Sequence, residues 1–344
     1  MRFYVSIGDV NGISTEIALR SVARLHALGM HDVVYGIDSA LLDSARDLLG
    51  MPHDFALQPC TLGTLAALDL REDFTRMFPH APSLQIMHAL APIALPTICA
   101  GEVSASAGLY ACKSFLYGIM QAVRGEVAAL LTLPVHKRAW SEAQIAFAGH
   151  TELLRALFGV DIIMVLGCEA MMVALYTDHI PLNAVSARVL ENGGGRLADF
   201  LLRLAQSPLA AREIAVLGLN PHAGDGGCIG SEDSIIAAAI GRANSTLARD
   251  VFVGPLVPDV AFAPKTRARF QTFVAMYHDQ GLIPLKALHF EQSVQISIGL
   301  PIVRVSVDHG TAFDIAYKNQ NPSILSFINS FLVAEKLVKK EELR

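Results

Sequence analysis

Short apolar runs alternate with helix-length amphipathic stretches along most of the chain, and this alternation constrains the fold more than any other feature. Phe3–Ile7 is a β-rich run that stops at Gly8-Asp9, and a helical pattern follows from Ser14 to Leu28, with Ser14 or Thr15 as the expected N-cap. The unit repeats as a strand over Asp32–Gly36 and a helix over Leu41–Leu49. Val127–Leu133 is almost continuously apolar, as strands are when both faces of their sheet are covered. Met171–Tyr176, Ile214–Leu219, Val274–Tyr277 and Ile302–Val307 read as further buried strands. Strands alternating with helices predict an α/β protein with mostly parallel sheets. At roughly 100–200 residues per domain, 344 residues suggest two. Residues 50–100 are richer in proline and carry no clear period, so no element is assigned there. Asn192-Gly193-Gly194-Gly195 is a turn or a helix start, and Glu335–Arg344 a solvated helical end.

Composition narrows the function. With 52% apolar and 17% charged residues the chain is not intrinsically disordered. A net charge of -5 without a dense Lys/Arg cluster offers no footprint for nucleic acid. The most apolar stretch, Ile162–Tyr176, is broken by Glu169 and falls short of the ~20 residues of a membrane span. Asp9 and Asn11 precede any apolar leader core, so a cytoplasmic protein is expected. Five cysteines with no Cys-x-x-Cys pair argue for buried, inert thiols rather than disulfides or structural zinc.

In open parallel sheets ligands bind at the carboxyl ends of strands. His179, His222, His278 and His309 each follow a buried strand, and three of them have a neighbouring Asp. Neutral imidazole is the commonest ligand for zinc-like metals, and adjacent carboxylates orient the ring. Gly149-His150-Thr151-Glu152 opens a helical run, where backbone N–H groups attract phosphate, although Thr151 would serve equally as an N-cap. Lys286 and Arg304 are lone cations in the apolar stretches Gly281–Leu288 and Ile296–Val307. A buried cation needs a partner, either a bound anion or an internal ion pair. Lys137 is a weaker candidate of the same kind. No Rossmann fingerprint, Walker loop or Gly-x-Ser-x-Gly elbow is present.

These runs together resemble the 4-hydroxythreonine-4-phosphate dehydrogenase family of pyridoxal phosphate biosynthesis. The resemblance covers nearly the whole chain and is strongest at Gly149–Glu152, His179–Leu182, Gly218–Gly227, Gly254–Asp259, Met276–Leu282 and Asp308–Ala312. Asp308–Asp314 is also similar to the nucleotide loop of isocitrate and isopropylmalate dehydrogenases. The resemblance implies that fold, a two-domain α/β/α arrangement, with residues 1–128 and 300–344 in a nucleotide-side domain and 129–299 in a metal and substrate domain. It implies His179, His222 and His278 as ligands of one divalent metal (zinc, magnesium or cobalt), in a site shared between the subunits of a homodimer. It implies His150, Thr151, Lys286, Gln295 and Arg304 as substrate contacts, and His309, Gly310 and Thr311 as the border of NAD or NADP. Asp259, Asp279 or Lys286 would be the base. Two departures stand out. The family opening Gly-Asp-Pro-x-Gly-Ile-Gly-Pro-Glu is Gly8-Asp9-Val10-Asn11-Gly12-Ile13-Ser14-Thr15-Glu16 here, and the family's substrate-binding Asn is Gln295.

The implied reaction oxidises a small phosphorylated hydroxy-amino acid, 4-phosphohydroxy-L-threonine, to a β-keto acid that loses carbon dioxide to give 3-amino-2-oxopropyl phosphate. Three rivals remain at this point. They are a dehydrogenase of a phosphorylated four-carbon sugar acid, a zinc hydrolase built on the same histidines, and a non-catalytic phosphometabolite binder.

Overall fold

A computed structural model describes residues 1–52, 64–81 and 86–342. Contacts divide the chain into two compact units, Met1–Ile162 with Leu300–Arg344, and Ile163–Gly299. The first unit begins with β1 (Phe3–Ser6), α1 (Ser14–Ala27), β2 (Val33–Gly36), α2 (Ser39–Leu49), α3 (Arg71–Met77) and α4 (Met87–Leu90). It continues with α5 (Ala105–Val123), β3 (Ala129–Thr132), α6 (Lys137–Glu142) and α7 (His150–Phe158). The second unit holds β4 (Ile163–Cys168), β5 (Met171–Leu175), α8 (Val185–Leu190), α9 (Gly195–Ala205), β6 (Ile214–Leu217) and α10 (Glu232–Leu247). After these come β7 (Phe252–Leu256), α11 (Pro258–Ala261), α12 (Pro264–Arg269), β8 (Thr272–Ala275), α13 (His278–His289) and β9 (Val294–Ile298). The chain then returns to the first unit with β10 (Arg304–Val307) and α14 (Leu325–Glu342).

In the first unit the strand order is β2-β1-β3-β10, parallel throughout. Successive strand residues point to opposite faces, and β1 shows what covers each. Phe3 meets Phe331 of α14 edge-on at 5.5 Å, whereas Tyr4 turns to α5, donating from its hydroxyl to the Ser114 carbonyl at 3.0 Å. Room for Tyr4 depends on missing side chains. A Cβ on Gly36 would sit 2.0 Å from its Oη, and one on Gly118 would sit 2.6 Å from its ring. Buried Lys113 of α5 donates to the carbonyls of Leu68 at 2.6 Å and Ala91 at 2.5 Å. Asp38 accepts from Tyr110 Oη at 2.7 Å and from the Ala66 N–H at 3.1 Å. Polar side chains thus pair the backbone groups of Ala66, Leu68 and Ala91, which apolar packing alone would leave without partners.

In the second unit the order is β9-β4-β5-β8-β6-β7. The β9, β4 and β5 pairings are antiparallel, while β5, β8, β6 and β7 run parallel. Met164, Leu166, Val173, Leu175, Ala215, Leu217, Phe273 and Ala275 form one face of the core with Leu282 and Leu285 of α13. The alternate residues Val165, Ala174, Val216 and Val274 are buried as well, so both faces are covered.

The mostly parallel α/β architecture agrees with the periodicity, and the expected strands lie within a few residues of their observed bounds. β4, β7 and β9 had not been expected. The contacts place the first unit boundary at 162/163 instead of 128/129, because β3 pairs with β1 and α6 and α7 follow it in the same unit. Neither Ser14 nor Thr15 caps α1. The cap is Ile13, and the Ser14 hydroxyl turns to the Pro134 carbonyl at 3.4 Å. Cys112 and Cys168 are buried, but Cys99 and Cys228 are exposed, contrary to the expectation for the thiols. Cys60 lies outside the described residues, as does part of the unassigned 50–100 stretch. Among the described residues no helix is long and apolar enough to cross a membrane.

Two glycine substitutions in helices should act with opposite signs. Gly118→Ala inserts a methyl into the Tyr4 ring and should destabilise by about 1–3 kcal/mol despite the better helix propensity of alanine. Gly241→Ala in α10 meets nothing within 4 Å and should stabilise by up to about 1 kcal/mol. Urea unfolding of both variants checks the pair.

Candidate active site

β5, β8 and β6 are parallel neighbours, so their carboxyl ends open on one side, and His179, His278 and His222 follow them. The segments that carry these rings are tied together. Thr177 Oγ1 donates to the Met276 carbonyl at 2.6 Å, and Gln280 Nε2 donates to the Gly218 carbonyl at 2.6 Å. His222 opens a left-handed turn in which His222, Ala223 and Asp225 have φ of 54°, 51° and 43°. Such a conformation costs non-glycine residues roughly 1–2 kcal/mol each. The support comes from Asp233, whose carboxylate accepts from the N–H groups of Leu219 at 2.8 Å and Asn220 at 3.1 Å and from Asn220 Nδ2 at 2.9 Å. Strain held this firmly at a strand end is characteristic of functional segments.

The rings of His179 and His278 lie 6.0 Å apart. Two imidazoles on one zinc-like ion, at about 2.0–2.1 Å per metal–nitrogen bond, put their ring centres roughly 5–6 Å apart, so this pair fits a common cation. Asp279 Oδ1 accepts from His278 Nδ1 at 2.7 Å, the carboxylate–imidazole pairing that orients metal-ligating rings and leaves Nε2 as the nitrogen for a metal. His222 and His179 are exposed. Among the described residues of a single chain, no three His, Cys, Asp or Glu side chains converge to hold a metal.

The first unit holds a buried basic pair, Arg304 and His150. Arg304 begins β10 and is 1% exposed. Its Nη2 donates to Thr132 Oγ1 at 2.7 Å and lies 3.4 Å from His150 Nδ1. Burial pushes the guanidinium down to about 9, with the charge of Glu152 acting in the opposite sense. A guanidinium only donates, so Nδ1 of His150 is unprotonated and Nε2 carries the hydrogen. That Nε2 is buried without a partner. The ring is walled by Phe115 at 4.4 Å and Trp140 at 5.6 Å, and burial followed by Arg304 holds its pKa well below the ordinary value. His150 and Thr151 are the first two residues of α7, whose cap is Gly149, so Thr151 is not the N-cap.

The remaining candidates are spread over other elements. Lys286 is only half-buried on α13, its Nζ 5.4 Å from the Phe290 ring, which corrects its expected burial. Gln295 is half-buried on β9 opposite Leu166 of β4. Asp259 and Asp279 are exposed at the first turns of α11 and α13. His309, Gly310 and Thr311 follow β10, with the Thr311 carbonyl accepting from the Ile13 N–H at 3.0 Å. Thr132, Trp140, Asp233 and Gln280 were not singled out in the sequence. They act by holding other groups, and only the small polar residue at a strand end hinted at Thr132.

Asp9, fully buried in the loop after β1, has its carboxyl raised from 3.8 to about 6 by desolvation, against a hydrogen bond from the Asn11 N–H. Because the folded value exceeds the unfolded one, this group's contribution to stability is complete below pH 4 and is lost as pH rises to about 6. Asp9→Asn should therefore match the parent at pH 4 and exceed it by up to about 3 kcal/mol at pH 8, read by denaturant unfolding at both values.

The family model of the pyridoxal phosphate biosynthetic protein PdxA matches residues 30–334. The chain is 39% identical over 332 residues to 4-hydroxythreonine-4-phosphate dehydrogenase of Sulfurimonas denitrificans, covering 96% of this chain and 95% of that one. It is 40% identical over 327 residues to the enzyme of that name from Helicobacter pylori strain G27, covering 94% and 96%. A crystal structure of 4-hydroxythreonine-4-phosphate dehydrogenase from Klebsiella pneumoniae superposes with a TM-score of 0.69 at 32% identity, covering 98% of both chains. With the model and the relatives agreeing over nearly its full length, the chain belongs to the PdxA family of pyridoxal phosphate biosynthetic proteins.

Proposed function

We propose that the chain oxidises the secondary alcohol of 4-phosphohydroxy-L-threonine with NAD or NADP, giving 2-amino-3-oxo-4-phosphooxybutanoate, which decarboxylates to 3-amino-2-oxopropyl phosphate. The names of the relatives support the substrate and imply a nicotinamide cofactor. The observation that carries the reading is the buried Arg304–His150 pocket, a fixed positive charge beside an unused N–H donor. These are the complements of a phosphate, and the first backbone N–H groups of α7 add to them. Thr151, Lys286 and Gln295 are the further substrate contacts, and His309, Gly310 and Thr311 border the nucleotide.

His179, His222 and His278 would hold one divalent cation, zinc, magnesium or cobalt. When bound, the metal supplies Lewis acidity toward the alcohol and ketone oxygens, and the nicotinamide supplies the hydride acceptor. Asp279 is engaged with the His278 ring, so the alcohol proton passes to Asp259 or Lys286. Since the described residues of one chain do not gather three ligands, two copies complete the metal site in this reading. The flanks of the histidines support it. Leu182 is 69% exposed just after His179, and Ile283 on the helix that starts at His278 and Phe290 just past its end are each 67% exposed. Apolar side chains so placed suit a second copy of this chain.

Incubation with the substrate, a divalent metal and NAD or NADP should give absorbance at the reduced-nicotinamide band together with carbon dioxide. Arg304→Met should lower kcat/KM by about 100-fold or more with the fold retained, and an unchanged ratio would remove the phosphate role. His222→Ala should abolish metal-dependent turnover without lowering the thermal midpoint of the metal-free protein. Full activity in the stripped variant would refute the metal assignment. Gln295, one methylene longer than the family's Asn, favours a second comparison. Faster turnover of a phosphorylated four-carbon sugar acid would reassign the substrate but keep the reaction.

A further inference from the structure

We infer that Asn11 is a positioning residue for the nucleotide: its carboxamide locks segment 99–102 to the loops that follow β1 and β10, and this lock sets dinucleotide affinity. The inference rests on the reading that His309–Thr311 border NAD or NADP.

Asn11 is fully buried, and each of its polar groups is used. Its Nδ2 donates to the Glu102 carbonyl at 2.9 Å, and its Oδ1 accepts from the Cys99 N–H at 2.9 Å. Its carbonyl accepts from the Gly101 N–H at 2.8 Å, and its N–H donates to Asp9 Oδ1 at 3.0 Å. Residues 99–102 belong to no helix or strand, so this side chain takes the place of a ladder for their backbone groups. The neighbouring residues carry the lock onward. A Cβ on Gly12 would lie 2.6 Å from the Thr311 carbonyl, and one on Gly101 would lie 2.6 Å from the Phe313 carbonyl. The Phe313 ring in turn stacks on His136, after β3, at 4.7 Å and 15°. The loops after β1, β3 and β10 are thereby fixed to residues 99–102 and to one another, at the carboxyl ends where parallel sheets bind ligands.

Only a carboxamide presents a donor and an acceptor side by side at this reach. Aspartate would face the Glu102 carbonyl with a second acceptor, and serine would be too short. Arg304, at the far end of β10, takes no part in it.

The test compares the full-length parent with Asn11→Ala and Asn11→Asp. Both variants should raise the nucleotide KM and the Kd for reduced nucleotide about tenfold, with kcat and the KM for the phosphorylated substrate within twofold. Amide hydrogen exchange at Cys99 and Gly101 should accelerate at least tenfold in the variants and slow when nucleotide binds the parent. An unchanged nucleotide Kd, or a parallel loss of kcat and substrate affinity, overturns the role of Asn11. Should neither variant fold, the parent decides. Nucleotide protection at 308–313 without protection at 99–102 sinks the lock, whereas no protection at either, with no reduced nucleotide formed, sinks the underlying reading instead.

Discussion

Parallel pairing is the constraint on which the molecule depends. Strands that run the same way must be connected by crossovers, the crossovers cover both faces, and polar residues are driven to the strand ends. In the second unit this leaves His179, His278 and His222 at the ends of the adjacent strands β5, β8 and β6. In the first unit it leaves the loops after β1, β3 and β10 as the places where chemistry can be housed. Arg304 is the conspicuous exception, a cation within a doubly covered strand. A charge there is costly unless something compensates it, and the Thr132 hydroxyl at 2.7 Å and the charge of Glu152 act in that sense.

Energy is held near these sites in recognisable forms. The left-handed turn at His222 is a backbone conformation that the sequence alone would not favour, and Asp233 maintains it through three hydrogen bonds. Asp9 is a carboxyl kept from water, and the loop it serves is fastened by Asn11. In each case hydrogen bonds from a neighbouring residue offset a local penalty and hold the segment in place.

Much of this was legible in the sequence, for reasons that can be traced. The strand-end rule located all four histidines because the strands preceding them are apolar runs with abrupt ends. Arg304 was found because a residue in a strand covered on both faces has no route to solvent. Lys286 was misjudged by the same logic, since a helix flanked by apolar neighbours in sequence still presents one side to water. β7 escaped because Gly254-Pro255 interrupts it, whereas the alternation of Gln295 and Ser297 with Val294, Ile296 and Ile298 in β9 is itself a strand pattern. Asp233, Gln280 and Asn11 could not be read at all. Their partners are mostly backbone atoms, and a backbone partner leaves no trace in residue identity.

The single tautomer imposed on His150 has a consequence for how the pocket behaves in acid. With the imidazole kept neutral well below its ordinary range and the guanidinium charged up to about 9, the pocket carries one invariant positive charge across the neutral and mildly acidic range. A phosphate monoester, by contrast, changes from dianion to monoanion near pH 6. A phosphate bound beside this pair, as proposed, would therefore meet the same charge on Arg304 and His150 at pH 6 as at pH 8.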